Sequence, residues 1–162
     1  MNREIGGGTL VAVALLATAL GIGACGSPNT HESKAASERT EAAKYLAIVA
    51  PFNAANNALL STSKVATHEL TVAQFKADCA PLLAAAGKLD TALLRIGLTG
   101  RAAVDARTLV ASNTAFIVVF HALTPQNIQA ELPVLAQDNA VSTADGNHLR
   151  EDLGLHPVHT GA

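Results

Sequence analysis

Between Val72 and Ile96 the apolar residues step by three and four in strict alternation: Val72, Phe75, Cys79, Leu82, Ala86, Leu89, Leu93 and Ile96. A strand would alternate every second residue, whereas this spacing lays one apolar seam along one face of a helix. The start of that helix is written into the residues before it. Thr71 with Gln74 three positions on reads as a capping box, and Leu70 with Phe75 reads as the hydrophobic staple across it. Gly97 suits the position just past the helix end, where the backbone turns left-handed. A seam of this length cannot stay in water, so the rest of the chain must supply elements that cover it. Composition agrees. The 33 alanines and 21 leucines stand against one tyrosine, four phenylalanines and no tryptophan, which suits a light helical core and not a β-fold.

Three further helices follow from the same reasoning. The first opens with a polar, solvated stretch from His31 to Thr40 and continues with Tyr45, Ile48, Phe52, Ala55 and Leu59 as its stripe. Pro51 removes one intrahelical bond there and predicts a kink. Ser61 to Leu70 reads as a polar loop. After Leu98-Thr99-Gly100 the third helix runs to about Leu123 on Leu109, Ser112, Phe116, Val119 and Leu123. Ala115 to Phe120, apolar nearly all round, is its most buried expected segment. The fourth starts with Thr124 as N-cap, Pro125 at the first helical position, and a staple from Leu123 to Ile128. Its stripe is Ile128, Leu132, Leu135, Asn139, Ser142, Leu149 and Leu153, and Gly154 closes it. Short connections force antiparallel neighbours. The expected fold is all-α, an antiparallel up-down-up-down four-helix bundle, roughly 35–40 Å tall at 1.5 Å per residue.

Ahead of the bundle, Arg3 and the α-amino group precede a charge-free stretch from Ile5 to Ala24. Its strongly apolar part, Leu10 to Leu20, is 11 residues long. That is the length of a signal-peptide h-region and falls short of the ~20 residues of a membrane span. It leads into Ile22-Gly23-Ala24-Cys25, which resembles a bacterial lipobox, with an aliphatic residue, two small residues and then the cysteine. The resemblance implies diacylglyceryl transfer to the Cys25 thiol, cleavage after Ala24, and acylation of the new amino group by a chain such as palmitate. The expected partner is then the membrane, gripped through Cys25, with the protein on the extracytoplasmic face of the cell membrane. An uncleaved single-span anchor over Ile5–Ala24 is the alternative. The chain so divides into a signal peptide (residues 1–24), a lipidated linker (25–31), the bundle (32–155) and a flexible tail (156–162).

A net charge of −2 leaves no basic footprint for nucleic acid. Two cysteines exclude a disulfide-dense scaffold. No Glu-x-x-His occurs, as a di-iron carboxylate bundle would require, nor any nucleophile elbow, phosphate loop or paired zinc motif. No catalytic residue, metal ligand or cofactor is therefore expected, and the chain reads as a non-enzyme. Cys79, in the middle of the seam, reads as a buried inert thiol. His121 reads as a helix-end residue, and Asp145, His148, Asp152, His156 and His159 as a solvated face and tail. Asn53, Asn56, Asn57 and Asn113 are the unusual polar residues, since several border the apolar stripes. Buried amides lose about 1–3 kcal/mol each if unpaired, so they are expected to bond backbone or other helices. Asn53, Asn56 and Asn113 are also the candidates for lining a ligand cavity.

Three stretches carry a wider resemblance: Tyr45-Leu-Ala-Ile-Val-Ala-Pro51-Phe-Asn53-Ala-Ala, Asp78-Cys79-Ala-Pro81-Leu-Leu, and Asn147-His-Leu149-Arg150-Glu-Asp152-Leu153-Gly154-Leu155. In this order they resemble small helical lipoproteins of actinobacteria, including mycobacteria. The resemblance implies location and fold and carries no catalytic residues. The expected function is that of a membrane-anchored, non-enzymatic module of the cell envelope that contacts an envelope protein. The alternative is a bundle that binds a small apolar ligand between its proline-interrupted helices.

Overall fold

In this computed structural model, which describes residues 31–63 and 71–158, every regular element among the described residues is an α-helix: α1 His31–Ser63, α2 Val72–Leu93, α3 Gly100–Ala122 and α4 Ile128–Asp152. The signal peptide, Cys25 and the lipidated linker as far as Thr30 lie outside the described residues, as do Leu70 and His159.

The strict seam produces α2. The Thr71 hydroxyl accepts the Gln74 N–H at 3.2 Å, and the Gln74 side chain accepts the Thr71 N–H at 2.9 Å, the reciprocal pair of a capping box. Val72, Cys79, Leu82, Ala86, Leu89 and Leu93 are buried along it. The helix stops at Leu93, earlier than Gly97 implied. The Ile96 N–H still reaches the Ala92 carbonyl at 3.0 Å, and Gly97, at φ 73°, redirects the chain only after that extra turn.

The start of α4 is displaced in a similar way. Asn127 N–H donates to Thr124 Oγ1 at 3.3 Å and Thr124 N–H donates to Asn127 Oδ1 at 2.6 Å, so the expected cap exists, around one turn containing Pro125. The helix proper then begins at Ile128. Its end is a Schellman motif, in which Gly154 N–H reaches Glu151 O at 2.9 Å and Leu155 N–H reaches Arg150 O at 2.8 Å, with Gly154 at φ 68°. By contrast, α3 has no local side-chain cap. Glu41 of α1 serves instead, accepting the Thr99 hydroxyl at 2.8 Å and the Thr99 N–H at 3.3 Å. A carboxylate there also meets the positive end of the helix dipole.

Two stripes sit differently from expectation. The buried face of α1 runs through Ala42, Tyr45, Val49 and Asn56, displacing Ile48 and Ala55 to its flank. Eleven residues make three turns, so Tyr45 and Asn56 share one face. The helix also continues past Pro51 as far as Ser63, into the segment expected to be loop. In α3 the buried set is Ala102, Ala106, Leu109, Phe116 and Phe120, and Val118 is 62% exposed, so Ala115–Phe120 is not buried all round. Each helix of a four-helix bundle keeps one face in solvent, whatever its composition. α3 is long and apolar enough to cross a membrane by length and composition, but here it packs between α2 and α4 and supplies core residues.

The four helices form an antiparallel bundle, and the core shows the alternation directly. One cluster gathers Ala42, Tyr45 and Val49 from α1, Leu89 and Leu93 from α2, Ala102, Ala106 and Leu109 from α3, and Leu149 and Leu153 from α4 with its C-cap. The other gathers Val72 and Cys79 from α2, Phe116 and Phe120 from α3, and Ile128 and Leu135 from α4, with Leu59 of α1 against them. First halves of α1 and α3 thus meet second halves of α2 and α4, which only an up-down-up-down path allows. The closest backbone packing is between α3 and α4, then α1 with α2 and α2 with α3, while α1 and α4 barely approach each other.

Candidate functional site

A small, partly enclosed cavity lies between α1 and α4. Tyr45, Val49, Phe52 and Asn53 form one wall, Ser142, Thr143, Gly146, Asn147 and Arg150 the other, and Leu89, Leu109 and Asn113 the floor. The cavity measures about 70 Å³. Gly146 has no side chain to fill the gap, and a Cβ built there would meet Leu109 at 3.9 Å.

Of the three asparagines expected to line a cavity, Asn53 and Asn113 do, and Asn56 is fully buried without lining it. Asn113 is the hub of a polar layer between the two apolar clusters. Its Nδ2 donates to Asp90 Oδ1 at 2.7 Å, and its Oδ1 accepts a short hydrogen bond from the Ser142 hydroxyl. Asp90 is buried, and burial pushes its carboxyl up to about 6, against the opposing hydrogen bond from Asn113. Asn53 Oδ1 and Asn139 Oδ1 are buried acceptors without a protein donor.

At the other end of the cavity Arg150, itself buried, hydrogen bonds to the Tyr45 hydroxyl. Burial raises the Tyr45 pKa, and the Arg150 charge and hydrogen bond only partly offset it. Arg150 Nε also donates to His156 O at 2.8 Å. Asn147 holds Val158 at two points, Nδ2 to Val158 O at 3.1 Å and Val158 N–H to Oδ1 at 2.7 Å. Val158 then completes the lining of the cavity. The segment expected as a tail is therefore bound to α4 as far as it is described.

Sequence reasoning did not single out Asp90, Ser142, Arg150 or Asn147 for this site. Ser142 was visible as a polar break in the stripe of α4, and Asp90 as a charge beside Leu89 in the seam. The pairings could not be seen, because Asp90, Asn113 and Ser142 come from three different helices.

The remaining candidates have structural settings. Cys79 is buried in the second cluster, and burial, with the Asp78 charge, pushes its thiol up to about 11, so it stays protonated. The His121 carbonyl accepts from Lys76 Nζ at 2.7 Å and its ring meets the edge of Phe120. Asp152 lies against Asp105, 3.6 Å from Arg101 Nε; burial and the neighbouring carboxyl raise its pKa, while Arg101 and His148 oppose them. Among the described residues no group of three or more His, Cys, Asp or Glu is arranged to hold a metal ion. Comparison with protein-family models, curated proteins and solved structures finds no match to this chain.

Proposed function

We propose that this protein is a non-enzymatic, lipid-anchored module of the cell envelope, held at the extracytoplasmic face of the membrane through Cys25 and acting by contact with another envelope component. The observation that carries the reading is the charge-free run Leu10–Leu20 leading into Ile22-Gly23-Ala24-Cys25. Two or three acyl chains, at about 0.8 kcal/mol per buried CH₂, hold a protein durably, where one does not. The bundle lends support. The α1–α4 cavity, about 70 Å³, falls well below the roughly 300–1,000 Å³ of ordinary ligand pockets, and the roomier hollow of about 540 Å³ along Gly87, Thr91 and Ile96 lies open at the surface. The bundle's outer surface instead displays Val104 and Val118 on α3 and Val134 and Val141 on α4, the most closely packed pair. This reading joins the chain to the actinobacterial lipoproteins its motifs resemble.

The test is fractionation of cells expressing the wild type and Cys25→Ala. The variant is expected to leave the membrane fraction or to accumulate as uncut precursor. A variant processed at the same site and retained like the wild type would refute the anchor.

A further inference from the structure

α3 carries a second apolar strip on the side away from the core. Val104, Thr108, Ala111, Ala115, Val118 and Ala122 step by four and three, and every one is exposed. That spacing keeps them on one helix face, opposite the buried Ala102, Ala106, Leu109 and Phe120. Among the described residues the most exposed large apolar side chains are Val118 at 62%, Leu94 at 59% and Val104 at 55%, against 42% for Leu46, Val134 and Val141. All three belong to α3 or to the turn that leads into it.

Charge is sorted the same way. Between Cys79 and Ala130 the sequence has four basic residues, Lys88, Arg95, Arg101 and Arg107, and all four are exposed. The stretch has two acids, and neither offsets them at the surface. Asp90 is buried against Asn113, and Asp105 lies against Asp152 with one carboxylate oxygen sealed from solvent. Arg101 approaches Asp152 at 3.6 Å, yet its side chain is 80% exposed. Arg101 and Arg107 stand three residues before and after Val104, about 60° to either side of the strip. Lys44 of α1 adds a cation at the same corner, donating from Nζ to the Ile96 carbonyl at 3.5 Å, while Glu41 is buried in its cap on Thr99. The acids gather elsewhere: α4 carries Glu131, Asp138, Asp145, Glu151 and Asp152, and its one arginine, Arg150, is buried. The net charge of −2 thus conceals a basic α2–α3 corner and an acidic α4.

We infer that the α2–α3 corner is a membrane-docking surface for anionic lipid, with Lys88, Arg95, Arg101 and Arg107 at the phosphates and Leu94 and Val104 at the headgroup–acyl boundary. The inference rests on the anchored reading above and names the face that the anchored bundle turns to the bilayer. Basic side chains around exposed apolar ones are the chemistry of an interfacial surface, and cations without neighbouring carboxylates suit a field of phosphates. A second copy meeting this corner face to face would set arginines against arginines. The tether permits the contact. The α2–α3 turn lies at the end where α1 begins, with Thr99 beside Glu41. The ten residues of α1 before Glu41 rise about 15 Å past that turn. Six residues separate His31 from Cys25 and span at most about 20 Å. That slack lets the bundle tip onto its side, so surface chemistry chooses the side. The acidic α4 then faces away from the lipid.

The experiment reconstitutes the full chain into vesicles of phosphatidylcholine, with or without phosphatidylglycerol. An environment-sensitive fluorophore is placed on Leu94→Cys, Val104→Cys or Val134→Cys. Cys79 is buried, so the parent chain serves as the blank and reports any free Cys25. Labels at 94 and 104 should brighten at least about threefold in the anionic vesicles relative to the neutral ones and be quenched by lipid-borne quenchers. The label at 134 should do neither. Salt near 0.5 M should reverse most of the change, since the attraction is screened over about 4–5 Å there. Combining Lys88→Gln, Arg95→Gln, Arg101→Gln and Arg107→Gln should abolish it with helical circular dichroism unchanged. Equal signals in the two kinds of vesicle, no signal, a response at 134 matching that at 94, or a response that survives salt would overturn the inference. So would shielding of Leu94 that grows with protein density in neutral vesicles, the mark of a second copy. An acylated Cys25 and an uncleaved apolar segment would both hold the chain in these vesicles. Failure of the Cys25→Ala fractionation therefore leaves this result standing. A chain that fails to float with neutral vesicles refutes the anchor, and the label at 94 on anionic vesicles still decides the docking surface.

Discussion

Asp90 shows most clearly what a single position can hide. It follows Leu89 in the seam, so a helix of 3.6 residues per turn carries it partly into the core beside its neighbour. There its carboxyl is raised to about 6 by burial, and Asn113 is the donor that makes it tolerable. The sign of the consequence is fixed. Unfolded, the group titrates near 3.8; folded, near 6. Between those values the folded state holds more protons, so stability falls as pH rises through the interval and is fully reduced above it. Asp90→Asn keeps an acceptor for Asn113 and removes the titration. It should gain about 2 kcal/mol relative to wild type at pH 8, gain little at pH 4, and flatten the dependence between them, as measured by urea denaturation across pH. A wild-type stability that rises from pH 4 to 7 through this residue would contradict the assignment. Cys79 makes the complementary case. A protonated, buried thiol should react slowly with a thiol reagent in the native protein and quickly in denaturant, and fast native labelling would show it to be exposed.

At the scale of elements, the helices were legible where their ends are specified locally. Thr71 and Gln74 are three residues apart, and the pair forms as the spacing says. Thr124 was legible as a cap but not the turn it closes, because Asn127 takes the part usually played by Glu or Gln and also bonds the Ala122 carbonyl at 3.1 Å, tying the turn back to α3. The start of α3 was legible from the Leu98-Thr99-Gly100 reversal, and the helix begins at Gly100 as expected, but its cap was not legible. Its capping carboxylate, Glu41, lies 58 residues away on α1, and no local pattern records such a partner. The same limit explains the polar layer. The asparagines could be named as unusual, but their partners belong to other helices. Glu41→Ala should therefore cost about 1–2 kcal/mol, as much as a local cap such as Thr71, although it lies in another element. Glu41→Gln, which keeps an accepting oxygen, should recover part of that loss. Chemical denaturation of the two variants checks this, and equal stability of Glu41→Ala and wild type would show that the contact contributes nothing.

Over the whole molecule, the Asp90–Asn113–Ser142 layer divides one apolar interior into two clusters, one at each end of the bundle. A light Ala/Leu core could pack in more than one register, since small side chains interdigitate weakly. Three polar groups from three helices satisfy one another in a single alignment, so the layer penalises any slip. That gives it a role in specificity distinct from stability, as buried polar groups have in some coiled coils. The two roles predict different outcomes. Asn113→Ala alone leaves a buried carboxylate and hydroxyl without their partner and should cost about 2–4 kcal/mol. Replacing the whole layer, Asp90→Leu with Asn113→Leu and Ser142→Ala, removes every unpaired group and should be near neutral or stabilising in urea denaturation at pH 8. The loss should appear instead as broadened or doubled amide resonances, the sign of helices that no longer hold one register. A triple variant that is destabilised by the sum of its parts yet keeps sharp, single resonances would show that the layer works for stability and that the apolar clusters alone set the alignment.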